Sequence, residues 1–281
     1  MEMLWLDTRK TGIAWPQGCS WDWRLSASSA LTCTLAFNLT FFVQEFFLVI
    51  PKALTPGLYP TLFHNNHTWT GDNPVAGLLQ GTGALADLAI GLIFTGLLSH
   101  SADRPVTLRL FLFWMAYQGF YLALPQFVIG AMNPGNDVGM AMAYLRLSAG
   151  ERWAAALIAF VVMAVIGFRL VRQFIRLMAI SAETATGTAR AGFVFRSAML
   201  PSLVSVLLLI PFREPRNLTE VLLLPLIVMI SGMLWVQCGA WFAPSATQTD
   251  RTSPSFSTPL LALLIVLAIF QIVLRPGIRF Y

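Results

Sequence analysis

Long apolar segments recur along the chain, with only short polar stretches between them. A helix that crosses the hydrocarbon core of a bilayer needs about 20 mainly apolar residues. Seven segments meet this length: 28–50, 75–99, 107–131, 152–174, 192–212, 218–242 and 258–275. Pro201 interrupts the fifth segment, so the number of spans could be six or eight. Because lipid-exposed backbone must satisfy its own hydrogen bonds, the pattern predicts an all-α, polytopic transmembrane helix bundle of about seven helices.

Composition supports the same class of protein. The chain is 57% hydrophobic and 11% charged, with a mean hydropathy of +0.69, whereas soluble domains carry about 25% charged residues. We therefore expect one integral membrane domain over residues 1–281, with the lipid bilayer as its surroundings. The net charge of +5 is small, and the basic residues lie at the ends of apolar segments, which argues against nucleic-acid binding. The Ser-, Thr- and Pro-rich stretch 243–257 is typical of a flexible surface loop.

The basic residues also indicate an orientation. In the seven-helix arrangement, the face that holds the N-terminus carries eleven Lys and Arg residues and the other face carries seven. The positive-inside rule then predicts a cytoplasmic N-terminus and places the polar loop 51–74 outside. We expect an integral protein of a bacterial inner membrane.

Two carboxylates, Glu45 and Asp87, are predicted to lie within the hydrocarbon. An Asp at the centre of a membrane helix costs about 2.5 to 3.5 kcal/mol on insertion scales, so such residues usually face the protein interior and have a partner. Glu45 lies six residues before Pro51, about 9 Å along a helix, within reach of water from the loop. Asp87 belongs to a stripe of small and polar residues with helical spacing. For Asp87, this position is compatible with a hydrogen bond to another helix and equally with a functional role. The stripe consists of Gln80, Gly83, Ala84, Asp87 and Gly91.

The loop after the first span contains two histidines, His64 and His67. Two imidazoles three residues apart can share a metal if their segment is helical; alternatively, they hydrogen-bond within a structured loop. A third polar site, Asp137, follows the third span. Because the first and third spans run parallel, Glu45, both histidines and Asp137 are expected at one membrane face.

Three short motifs resemble the membrane core of the site-2-protease (M50) family. These are QEFFL at 44–48, QGTGALA at 80–86 and NPGNDVG at 133–139. They are similar to that family's HExxH helix, its small-residue helix and its NPxxDG-like motif, within a three-helix core over 28–145; residues 150–275 would add further transmembrane helices. The resemblance implies that Glu45 is the general base and Asp137 a metal ligand.

The chain departs from the family at both histidines of the HExxH motif. Gln44 and Leu48 occupy those positions, and a leucine cannot bind zinc. The resemblance therefore implies either that His64 and His67 supply replacement ligands from the loop, or that the protein is a non-catalytic relative. Without a metal, Glu45 would have no activated water to deprotonate.

Three functional hypotheses follow. The first is a metal-dependent intramembrane peptidase or hydrolase that acts on a membrane-protein substrate. It would use Glu45 as general base and His64, His67 and Asp137 as ligands of zinc or another divalent transition metal. The second is a non-catalytic subunit or scaffold of a membrane complex, which would bind a partner subunit. The third is an ion-coupled transporter with Glu45 and Asp87 as an ion relay.

Overall fold

The structure, a computed structural model, describes residues 21–213 and 222–281. Ten α-helices occur in this part of the chain: α1 Trp23–Ala53, α2 Ala76–Leu79, α3 Thr82–Ser99, α4 Val106–Met132, α5 Asp137–Tyr144, α6 Ala149–Met178, α7 Gly187–Val194, α8 Leu200–Leu208, α9 Leu224–Ala240 and α10 Ser257–Ile269. Three short strands accompany them: β1 Tyr59–Leu62, β2 His67–Thr70 and β3 Ile278–Arg279.

Five helical segments are long and apolar enough to cross a membrane, as expected for a polytopic membrane protein. They are Trp23–Ala53, Ala76–Ser99, Ala149–Met178, Gly187–Leu208 and Ser257–Leu274. Helix α9 is apolar but has only 17 residues. Helix α4 has 27 residues and contains Arg109, Gln118 and Gln126, which lower its hydropathy.

Helix α4 forms the centre of the bundle, packed against α1, α3, α6 and α9. Three of its large aromatic side chains are completely buried, and each donates its polar hydrogen to a different helix. Trp114 Nε1 donates to Ser29 in α1 (3.0 Å), the Tyr117 hydroxyl to a carbonyl of α9 (2.9 Å) and the Tyr121 hydroxyl to a carbonyl of α6 (2.8 Å). Buried Trp and Tyr need such partners, so α4 fixes the positions of its neighbours.

Glycines let α3 approach α1 and α4 closely. A Cβ at Gly83 would lie 2.9 Å from the Cγ atoms of Gln44 and Leu48 on α1. Farther along α3, Gly91 packs against Gly119 of α4. A Cβ added at Gly119 would lie 2.3 Å from the backbone nitrogen of Gly91. Every residue of the predicted stripe on α3 is buried, as expected for close contact between helices.

A three-stranded antiparallel sheet covers the end of α1, a feature that the all-α prediction missed. Its order is β2-β1-β3; Tyr59 pairs with Thr70, and Thr61 pairs with Arg279 near the C-terminus. Gly71 has a φ of +101°, which favours glycine over other residues. The loop predicted at 51–74 is thus largely a β-hairpin, and we call this side of the bundle the hairpin face.

On the opposite face, Arg251 anchors the stretch 243–257. Its guanidinium donates to Asp22 (2.9 Å), Glu183 (2.8 Å) and the carbonyl of Met178 (2.7 Å). The stretch is an irregular loop, as predicted, and its one arginine joins the start of α1 to the end of α6.

We predict that Gly83→Val lowers the free energy of unfolding by about 2 kcal/mol, because added methyl groups in a packed interface force neighbours to move. The matched control is Gly96→Val in the same helix, where a Cβ would meet nothing within 4 Å. Thermal unfolding of the purified protein in detergent measures both. Equal losses in the two variants would contradict the close packing of α3 on α1.

Candidate functional site

The last two turns of α1 position Glu45 and Lys52 on one side of the helix, because residues seven apart lie two turns along the same face. Sequence analysis placed the end of this segment at Pro51, but the helix continues to Ala53. Lys52 is completely buried. Its ammonium donates to the carbonyl of Leu48 (2.7 Å), and its other hydrogens point away from the helix backbone.

Gln80, just before α3, connects Lys52 to the third polar site. Its Oε1 accepts from Lys52 Nζ (2.7 Å), and its Nε2 donates to Asp137 Oδ1 (3.0 Å). Gln80 lies one turn before Gly83, so the close approach of α3 to α1 brings its amide over the end of α1. Asp137 is the first residue of α5, which Asn136 caps by accepting from the backbone N–H of Gly139.

His67, the first residue of β2, covers this group from the loop side. Its Nδ1 lies 2.7 Å from Glu45 Oε2, and its Nε2 lies 3.1 Å from Gln80 Oε1 and 3.4 Å from Lys52 Nζ. The ring of Trp69 stacks on the imidazole at 5.6 Å and lies 4.8 Å from the ammonium of Lys52. The hairpin is thus held by a hydrogen bond between His67 and Glu45, a ring stack and a cation–π contact.

We call Glu45, Lys52, His67, Gln80 and Asp137 the polar cluster. With Lys52 charged, the net charge of the cluster is zero when one of the two carboxyls is ionised and His67 is neutral. It is also zero when both carboxyls are ionised and His67 is protonated. Buried charges are stable only when paired in this way, so the cluster can relocate one proton without acquiring a net charge.

The surroundings of Asp137 favour its uncharged form. Burial, and then the negative charge of Glu45, raise the pKa of Asp137 above its ordinary value, while His67 and Lys52 oppose the shift. A raised pKa favours the uncharged carboxyl.

His64 does not join His67. Residues 63–66 form the turn between β1 and β2, so His64 and His67 are not on a helix, and the helical geometry in which two histidines three apart share a metal is absent. His64 is buried, with its ring 5.4 Å from that of Phe270 in the C-terminal helical segment. Of the four residues proposed from the sequence, Glu45, His67 and Asp137 therefore come together, and His64 lies against a different neighbour.

The two positions that hold histidines in site-2 proteases have packing roles here. The side chains of Gln44 and Leu48 are buried against Gly83 of α3, and the carbonyl of Leu48 accepts from Lys52. Within the part of the chain that the structure describes, no three His, Cys, Asp or Glu side chains are placed to hold a metal ion. A zinc site needs three or four such ligands, and metal binding by this chain stays a prediction.

Asp87 is buried completely in α3, and neither of its carboxylate oxygens has a hydrogen-bond partner among residues 21–213 and 222–281. The interhelical hydrogen bond that its stripe position allowed is thus absent from the described structure. The ion-relay hypothesis for Glu45 and Asp87 stays a prediction.

Sequence analysis did not assign Lys52 or Gln80 to the site. Lys52 was counted only among the basic residues that indicate orientation, and Gln80 only as part of the α3 stripe. A signal was present for Lys52, because it follows Glu45 by seven residues and so shares a helix face with it. The contact of Gln80 with Asp137 joins residues 57 positions apart and has no local sequence signature.

No family model, curated protein or solved structure matches this chain. The resemblance to site-2 proteases therefore stays a prediction, and function is inferred from the contacts of the polar cluster.

We predict that Asp137 makes stability depend on pH. Because its pKa is raised in the folded protein, its contribution is fully present below the pKa of the unfolded carboxyl, about 3.9. That contribution is lost as the pH rises through the folded-state pKa. Unfolding midpoints of the wild type should therefore fall relative to those of Asp137→Asn as the pH is raised from about 4. A wild type that gains stability relative to Asp137→Asn over this range would contradict the raised pKa.

Proposed function

We propose that this protein is a non-catalytic subunit or scaffold of a membrane complex, in which the ammonium of Lys52 takes the place of a metal ion. One observation carries the proposal. Lys52 Nζ is buried and lies within 2.7 Å of Gln80 Oε1, in a cluster that also contains Glu45, His67 and Asp137.

The ammonium of a buried lysine can neutralise nearby carboxylates as a bound metal cation would. It compensates buried carboxylates and orders the polar groups around it, but it cannot accept a water oxygen as a ligand or lower that water's pKa. A divalent ion entering the cluster would also be repelled by Lys52. Two unit charges 4 Å apart interact by about 4 kcal/mol at an effective dielectric constant of 20.

The hydrolase hypothesis requires Glu45 and Lys52 to make different contacts from those in the structure. Glu45 would have to release His67 in order to act on a metal-bound water, and Lys52 would have to leave the cluster. Both changes would break hydrogen bonds in a buried site, where each unpaired charged group costs several kcal/mol. The contacts therefore support the scaffold over the enzyme.

The hairpin offers a surface for a partner subunit. Strand β2 is at the edge of the sheet, and in the described ranges no strand pairs with its outer side. Edge strands expose backbone N–H and C=O groups that an extended segment of another protein can pair with. The polar cluster would then hold this edge in place at the membrane surface.

The proposal includes seven spans, with α4 and α9 crossing in addition to the five most apolar segments. Helix α4 is about 40 Å long at 1.5 Å per residue, and its polar residues are buried among the other helices, so lipid does not contact them. We further propose a cytoplasmic N-terminus and a location in a bacterial inner membrane, since the basic residues favour the face opposite the hairpin.

Elemental analysis of the detergent-purified protein tests the proposal. We expect no stoichiometric metal in the wild type, no cleavage of a transmembrane peptide, and a partner protein that co-purifies in fixed ratio in mild detergent. Lys52→Met removes the internal cation, and His67→Ala removes an imidazole from the cluster.

About one zinc or other transition metal per chain in the wild type, lost in His67→Ala, would contradict the proposal and support the hydrolase. Metal that binds to Lys52→Met but not to the wild type would be the clearest support, because it would show that the ammonium excludes the ion.

A further inference from the structure

Helix α6 presents a lipid-facing side that ends in arginines. Its exposed residues in the middle of the helix are apolar, and Leu157, Ile158 and Val161 are each more than half exposed. Farther along the same side come three exposed arginines, Arg169, Arg172 and Arg176. Arg172 lies about 17 Å beyond Val161 at 1.5 Å per residue, at the level where a span of this length leaves the hydrocarbon for the headgroups.

A cavity of about 480 Å³ opens beside the last two of these arginines. It is lined by Arg172, Gln173 and Arg176 of α6 and by residues of the loop after α9, including Ser245 and Thr247. No lining residue is acidic. Within the described part of the chain, no Asp or Glu forms an ion pair with either arginine. The cavity therefore combines two positive charges, which have no acidic partner among the described residues, with the hydroxyl of Thr247.

The loop side of the cavity is preorganised. Ser245 Oγ accepts from Arg190 (3.2 Å) and donates to the carbonyl of Thr184 (2.9 Å), while the backbone N–H of Ala246 donates to Thr184 Oγ1 (2.8 Å). Gln248 donates to the carbonyl of Ala179 (2.7 Å), at the end of α6. The loop thus has a fixed place against α6 before any ligand binds.

Gln173 lies between the two arginines on α6. It lines the cavity, and its Oε1 is buried without a hydrogen-bond partner among the residues that the structure describes. A buried polar atom without a partner costs about 1–3 kcal/mol.

We propose that this cavity is a binding site for an anionic phospholipid. The acyl chains would lie along the apolar side of α6, and the phosphate would accept hydrogen bonds from Arg172 and Arg176, which can bind phosphate through paired N–H groups. Anionic lipids attract each nearby basic residue by about 1 kcal/mol, and the cavity adds a defined place for one headgroup.

Lipid binding to the full-length protein in mild detergent tests the proposal. We would titrate phosphatidylglycerol, phosphatidylcholine and inorganic phosphate separately, and measure the unfolding midpoint together with lipid retention by native mass spectrometry. Phosphatidylglycerol should stabilise the wild type and remain bound. Arg172→Gln/Arg176→Gln should bind it about thirtyfold more weakly, the ratio that two such contacts give.

The matched control is Arg24→Gln/Arg104→Gln, which removes the same charge from exposed positions outside α6 on the same face and leaves the cavity lining intact. It should bind phosphatidylglycerol as the wild type does. If the first double variant does not fold, Arg172→Lys/Arg176→Lys keeps the charge and should weaken retention to an intermediate extent.

Three results would overturn the proposal. Equal weakening in both Gln double variants would mean that general surface charge attracts the lipid. Equal stabilisation by inorganic phosphate would mean a site for a free anion and not for a lipid. Equal retention of phosphatidylcholine and phosphatidylglycerol would mean that the arginines do not select an anionic headgroup.

Discussion

A lysine buried in a membrane protein must find acceptors for its hydrogens, and much of the hairpin face depends on how Lys52 does so. Its ammonium donates to the carbonyl of Leu48 and to Gln80, and it lies 3.4 Å from His67 Nε2. Each contact belongs to a different element: α1 itself, the start of α3, and the hairpin. Burying an unpaired charge costs several kcal/mol. If these three elements separated, the ammonium of Lys52 would lose its hydrogen-bond acceptors at that cost.

The polar cluster contains groups that can bind metals, and Lys52 places a cation among them. Glu45, His67 and Asp137 come from three separate elements. The positions that would complete an HExxH site are Gln44 and Leu48, and both side chains are packed against Gly83. The ammonium of Lys52 instead contacts Gln80 and lies beside His67.

The sequence allowed the membrane class to be predicted because apolar length is a local property. The placement of Glu45 and Asp137 at one face of the bundle could be predicted from helix direction, since α1 and α4 run parallel. The features that could not be predicted depend on contacts between residues far apart in the sequence. His64 and His67 were paired on the assumption of a helix, whereas the chain forms a hairpin whose third strand comes from residues 278–279. Likewise, the anchoring of 243–257 depends on Asp22 and Glu183, far away in the chain, which composition cannot reveal.

Hydrogen exchange of the hairpin amides in Lys52→Met tests most directly whether the internal cation holds the site together. A hydrogen bond to a charged group contributes about 1.5 to 3 kcal/mol, so protection of β1 and β2 should fall at least about tenfold while that of α4 stays unchanged. Arg251→Met removes a buried cation on the opposite face and should loosen 243–257 but not the hairpin. Hairpin protection that is the same in Lys52→Met and the wild type would contradict the account, because the ammonium would then not be what fixes the hairpin to the helices.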